Sequence, residues 1–157
     1  MASELRVDKI HNEGGDNDSG IDLSTNDQIV LKTANTTRLT MNATGQTTIV
    51  GEGGSTTTSL QQGLAKVWCN HNTTPSIQDS FNVSGVTDEG TGSFDTDFTN
   101  AMSNNTYSAV CGAFGTSQQT FGVIRDSSTT SYRCNTYGDD GSAEDRDLAN
   151  SAHGDLA

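Results

Sequence analysis

Between Gly20 and Gly51, apolar residues two apart recur in short pairs separated by polar turns. Ile21 with Leu23, Ile29 with Leu31, Leu39 with Met41, and Ile49 with Thr47 each put two side chains on one face of a brief strand, since a spacing of two is the β period. The segments between them, Ser24-Thr25-Asn26-Asp27, Thr33-Ala34-Asn35-Thr36-Thr37 and Asn42-Ala43-Thr44-Gly45, hold residues that turn the chain by side-chain hydrogen bonding or by accepting positive φ. One pair follows another in steps of eight, ten and eight residues, from Ile21 to Ile29 to Leu39 to Thr47. A segment with a single apolar row cannot cover that row itself. Ordering each residue costs roughly 1.5 kcal/mol, so a lone copy is not expected to fold. Identical copies are the simplest cover, because symmetric homo-oligomers dominate among soluble assemblies.

The pattern changes on either side of this stretch. Leu5 and Val7 alternate within Met1 to Ile10 and predict a strand, followed by a polar loop from His11 to Ser19. Gly51 to Thr58 is small and flexible in composition, which predicts a linker over residues 52–64, with a single helical turn or an extended connector at Leu60 to Leu64. From Ala65 the strands lengthen and aromatic residues gather, as in an antiparallel sandwich with its own core. The predicted strands are Lys66 to Asn70, with Val67 and Cys69 facing away from Trp68, then Ile77 to Val86, Ser93 to Phe98, Tyr107 to Phe114, Thr120 to Ile124 and Ser131 to Tyr137. Gly138 to Gly141 reads as a turn. Asp147 to Ala157 fits either a disordered tail or a last strand beside Ser131 to Tyr137.

Composition narrows the class. The 157 residues are 31% hydrophobic and 6% aromatic, so the core is small for the length. Disorder is the competing reading of such a chain, but charged residues are only 18% and the β-formers alternate rather than scatter. No run is long enough to span a bilayer, and Met1-Ala2-Ser3-Glu4 lacks the regions of a signal peptide, which predicts synthesis in a cytoplasm. A net charge of -12 argues against nucleic acid and anionic membrane surfaces as partners. The densest acidic sets, Asp139-Asp140 and Glu144-Asp145-Arg146-Asp147, read as solvated loops.

Candidate chemistry changes this picture little. Cys69, Cys111 and Cys134 lie in strand-like runs and read as free buried thiols, with oxidative pairing of two of them as the alternative. Cys69, His71 and Cys134 do not have the spacing of a zinc framework, so neither metal nor cofactor is expected. Asp16 to Gly20 and Asp139 to Gly141 hold closely spaced oxygens but lack the distant Glu of a calcium loop. Six Asn-x-Ser/Thr triplets, at Asn17, Asn35, Asn42, Asn72, Asn82 and Asn104, are expected by abundance in so Asn- and Thr-rich a chain. Asp95 and Asp97 share a strand face, the one arrangement that suggests glycoside hydrolysis, but the chain is short for a carbohydrate groove and is not expected to be an enzyme.

Gln28 to Thr33, then Thr37-Arg38-Leu39-Thr40-Met41 and Gly45-Gln46-Thr47-Thr48-Ile49, resemble the repeat of phage tail-fibre and appendage proteins, in which an Arg precedes a short strand and a Gly turn follows it. Leu5-Arg6-Val7-Asp8-Lys9-Ile10 is similar to the start of small virion proteins from tailed phages of marine bacteria. So are Gln62 to Trp68, Asp79 to Ser84, Thr87 to Gly92, Tyr107 after Asn104-Asn105, and the ending His153 to Ala157. The resemblance implies an all-β virion structural protein: a trimeric shaft of short intertwined strands followed by an antiparallel, jelly-roll-like β-sandwich head. It implies a terminal strand at Leu148 to His153. The trimer core would be Ile21, Leu23, Ile29, Leu31, Leu39, Met41 and Ile49, and residues 1–19 would attach to capsid or tail proteins through Leu5, Val7 and Ile10. Four repeats make a short shaft, which leaves a tail fibre, a capsid fibre and a capsid decoration protein as placements. A glycan-reading head is a further alternative, with Trp68, Tyr107, Tyr132 and Tyr137 as candidate contacts.

Overall fold

The computed structural model describes residues 5–14, 18–114 and 120–157. The chain divides into two units, Met1–Gly63 and Leu64–Ala157. Nearly all the regular structure is antiparallel β.

The first unit is a meander. Strands β1 (Lys9–His11), β2 (Gly20–Asp22), β3 (Ile29–Thr33), β4 (Thr36–Met41), β5 (Thr47–Val50) and β6 (Thr57–Ser59) pair in sequence order into one six-stranded sheet. Local chemistry sets each reversal. Ala34 and Asn35 both take left-handed backbone, at φ of +50° and +55°, as a two-residue hairpin whose twist matches its strands requires. At the next turn Asn42 Oδ1 accepts from the Thr44 N–H and hydroxyl and from the Gln46 N–H, and Gly45 takes a φ of +79°. The expected linker is partly structured: β6 and the helical turn α1 (Leu60–Gly63) fall within residues 52–64. The Gln61 side chain ties that turn to β5, accepting from the Thr47 N–H and donating to the Gly45 carbonyl, each at 2.9 Å. The amino-terminal strand is shorter than its alternation suggests, starting at Lys9 and leaving Leu5 and Val7 outside it. Residues 1–4, and with them the start of the Met1 to Ile10 strand, lie outside the described residues, as do residues 15–17 of the Asp16 to Gly20 loop and its Asn17 triplet.

The second unit has two four-stranded sheets packed face to face. One has the order β12 (Phe121–Ser127), β13 (Ser131–Tyr137), β10 (Ser93–Phe98), β9 (Val83–Gly90); the other has β11 (Ser108–Phe114), β14 (Asp147–His153), β7 (Val67–His71), β8 (Ile77–Phe81). Their inner rows make the core, with Val67, Leu148 and Ala152 from one sheet against Phe94, Phe98, Tyr132 and Cys134 from the other. The run expected as one strand from Ile77 to Val86 is two. Asn82 breaks it at a φ of +58°, where its amide donates to the Lys66 and Asn100 carbonyls and accepts from the Asn100 N–H. The terminal strand exists, but it lies between β11 and β7 rather than beside Ser131–Tyr137. The acidic set before it is also structural. Asp145 accepts the Gly92 N–H at 2.6 Å, Asp147 accepts the Thr73 N–H at 3.0 Å, and Glu144 pairs with Arg146. A Cβ on Gly92 would come within 2.5 Å of the Thr136 carbonyl oxygen, so this bend needs glycine.

Candidate functional site

The first unit's register brings its apolar pairs into two rows on one face. Ile10, Ile21, Leu31, Leu39, Ile49 and Thr58 stand opposite one another from β1 to β6. Two residues away along the strands, Leu23, Ile29, Met41 and Thr47 make the second row, with Ile29 opposite Met41 and Met41 opposite Thr47. All the residues proposed for a trimer core therefore share a face. Among the described residues of the unit no second layer packs over them: Ile29 is 44% exposed, Leu31 39% and Met41 41%, and Thr47 is the one buried member. Of the expected attachment residues, Leu5 and Val7 are exposed before β1, whereas Ile10 belongs to the apolar ladder. The opposite face carries an ion pair, Lys32 Nζ to Asp22 Oδ2 at 2.5 Å. Lys32 and the Ser24 hydroxyl and N–H hold the Asp22 carboxyl well below the usual carboxylate range.

The four aromatic residues proposed for glycan contact do not form one site. Tyr132 is a core residue, 1% exposed, whose hydroxyl donates to Asn150 Oδ1 at 2.5 Å; burial pushes its pKa up. Its neighbours carried the signal, since Arg133 and Asn135 must face solvent and so turn Tyr132 inward. Tyr107 is half-buried against Phe98 and donates to the Ser131 carbonyl, and burial raises it to about 12. Tyr137 stacks on Phe121 on the outer face of its sheet, ring centroids 5.2 Å apart. Trp68 alone of the four lies on the outer face of the other sheet, 37% exposed.

Val110, Ser151, Trp68 and Phe81 stand opposite one another across the four strands, and Gly112, Ala149, Asn70 and Asp79 form the next row along them. On the far side stand Phe114, Asp147 and Gln78. Two hollows open on this face and share Asn70: one of about 610 Å³ lined from both rows, by Trp68, Val110, Gly112 and Ala149 among others, and one of about 530 Å³ beside Phe114, Asp147 and Gln78.

The remaining candidates are engaged in structure. Cys69 is buried and raised to about 11 by burial; Cys134 shares a hydrogen bond with Cys111 of the facing sheet and is raised by that contact and by burial. All three thiols are free. Among the described residues no group of three or more His, Cys, Asp or Glu is placed to hold a metal ion. Asp95 is held bidentately by Arg133, at 2.6 and 2.7 Å, and Asp97 accepts from Thr87. The Asn-x-Thr triplets at Asn42, Asn72 and Asn104 are turn devices, each with its Oδ1 accepting the N–H and hydroxyl of the Thr two residues on. Among the described residues no helix is long and apolar enough to cross a membrane. Comparison of the chain with protein-family models, with curated proteins and with solved structures finds no match in any of the three.

Proposed function

We propose that this chain is a virion structural protein of a tailed phage, a homotrimeric short fibre or surface appendage. The observation that carries the reading is the in-register ladder from Ile10 to Ile49 on a single-layer sheet. A sheet with one apolar face needs a cover, and three copies turning that face to a common axis supply it without another protein. Fully burying a Leu or Ile side chain contributes about 1.5–3 kcal/mol. The ladder residues are already half-buried, so assembly gains on the order of 1 kcal/mol for each. The resemblance of Gln28 to Ile49 to tail-fibre repeats adds the trimer and the virion to what the ladder requires. In this reading Leu5 and Val7, which are exposed ahead of β1, contact a capsid or tail protein.

Sedimentation velocity on the full chain at micromolar concentration tests this. The expected mass is that of a trimer, and Leu31→Asp with Leu39→Asp should yield monomers in which the second unit stays folded. A folded wild-type monomer at that concentration contradicts the proposal. Copy number per particle then separates the placements, since capsid decoration requires many copies and a tail fibre few.

A further inference from the structure

We propose that the open edge of β1 binds the same edge of a second copy, the two strands running antiparallel with Ile10 opposite Ile10, so that two six-stranded meanders join into one continuous sheet. This goes beyond the trimer and concerns the chain before it joins a particle, since a protein docked at Leu5 and Val7 would compete for the same edge.

The backbone sets which groups are free. The Asp8 carbonyl accepts the Leu23 N–H at 2.7 Å, and the Asn12 N–H donates to the Ser19 carbonyl at 3.1 Å. Asp8, Ile10 and Asn12 therefore turn their backbone groups toward β2, and by the alternation of an antiparallel pair Lys9 and His11 turn theirs away. β1 ends its sheet, its residues are exposed, and among the described residues no strand lies beyond it. Edges in the second unit are protected, as exposed edges in native proteins usually are. β8, β9 and β12 pair with a register shift, which bends a strand, and the Thr120 hydroxyl, just ahead of β12, donates to the Ala113 carbonyl of β11. β1 pairs with β2 without such a shift.

The side chains set the partner and the register. The outward groups of Lys9 and His11 must meet outward groups of the added strand, so the register moves only in steps of two. One setting puts Lys9 opposite the second copy's His11 and Ile10 opposite its Ile10, the latter a non-hydrogen-bonded pair with Cα atoms about 4.5 Å apart. The ladder of Ile10, Ile21, Leu31, Leu39 and Ile49 then runs unbroken from one copy into the other. A step to one side sets Lys9 opposite Lys9 and Ile10 opposite Asp8; a step to the other sets Ile10 opposite Asn12. The first opposes like charges, and both end the apolar row on a polar side chain. β6 of a second copy is the poorer occupant, because Thr57-Thr58-Ser59 has no apolar side chain to set against Ile10. The contact is isologous, so it closes on itself rather than growing a filament, and in a trimer it joins two trimers end to end.

Sedimentation velocity on the full chain from about 1 to 100 µM, a range that spans weak contacts, should show a species of doubled mass growing in with concentration. His11→Pro removes an N–H that faces the open edge and no bond to β2, so it should weaken the doubling at least tenfold with an unchanged circular dichroism spectrum. Ile10→Cys treated with oxidised glutathione should cross-link two copies, because the paired Cα atoms lie within reach of a disulfide. Lys9→Cys should not, since its two copies stand beyond the roughly 7 Å that a disulfide bridges; the wild-type chain, with its three free thiols, is the control. A wild-type mass that stays constant over the range, a His11→Pro chain that doubles as readily as wild type, an Ile10→Cys chain that cross-links no more than wild type, or a Lys9→Cys chain that cross-links as fast as Ile10→Cys overturns the proposal. The lighter species reports the trimer separately: doubling from trimer supports both readings, and doubling from monomer supports the edge alone.

Discussion

His71 is a fully buried imidazole set edge-on to Phe94, with ring centroids 5.1 Å apart. Its Nδ1 donates to the Asn72 carbonyl at 3.0 Å, while Nε2 is buried without a hydrogen-bond partner among the described residues. Burial lowers its pKa from the ordinary 6.5, against the opposing pull of the Asn72 carbonyl and Asp147. The folded protein therefore keeps His71 neutral where the unfolded chain takes up a proton. The stability this confers is complete above the ordinary value and declines as pH falls through it toward the lower folded pKa. Urea denaturation should show a midpoint that drops between about pH 7 and pH 5, where only histidine ordinarily titrates, and a smaller drop in His71→Leu. Asp22 works in a lower window, its contribution being lost only as pH falls below the ordinary carboxylate value of 3.8. Nothing local marks His71 as buried. Its place in the inward phase of Val67, Cys69 and His71 does, and that phase was readable from the two apolar members.

Two turns of the protein share one design. Asn42 begins the β4–β5 connection and Asn72 the β7–β8 connection; each Oδ1 takes the N–H of the residues two and four further on, and each backbone N–H returns to the carbonyl of the fourth. A hydrogen bond of this kind contributes about 0.5–1.5 kcal/mol net, and Asn72 Oδ1 accepts three. Asn72→Ala should lower the second unit's stability by about 1–3 kcal/mol in chemical denaturation, and Asn72→Asp, which keeps the accepting oxygen, should lose much less. The Asn42 segment was legible as a turn from composition and the Asn72 segment only as a gap between strands, and abundance alone did not reveal that the Thr is part of the device. The β6 strand was not legible, because Thr57-Thr58-Ser59 has no apolar residue and becomes a strand only through pairing with β5. Ser93–Phe98 and Ser131–Tyr137 begin and end where their alternation does, since each is a central strand with an inward apolar row.

The two units rest on unlike foundations. The second owns an aromatic and aliphatic core around Phe94, Tyr132 and Leu148, whereas the first buries only Thr47 among its described residues. Residues 64–157 expressed alone should fold with a cooperative thermal transition, while residues 1–63 alone should gain strand signal in circular dichroism only as concentration rises. A cooperative fold of 1–63 that is independent of concentration would contradict the ladder's need for a cover. The boundary between units was visible as a change of pattern near the Gly-rich stretch, and the all-β character followed from alternation. Strand order was not visible: β14 inserts between β11 and β7, a choice made by contacts far apart in sequence. The meander also has arithmetic of its own. Each repeat of eight or ten residues brings its own turn and sets one more apolar rung beside the last. Inserting one repeat would therefore widen the sheet by about 4.8 Å and leave every existing rung in register. The number of repeats becomes a ruler, through which the width of the sheet can change one copied strand and turn at a time.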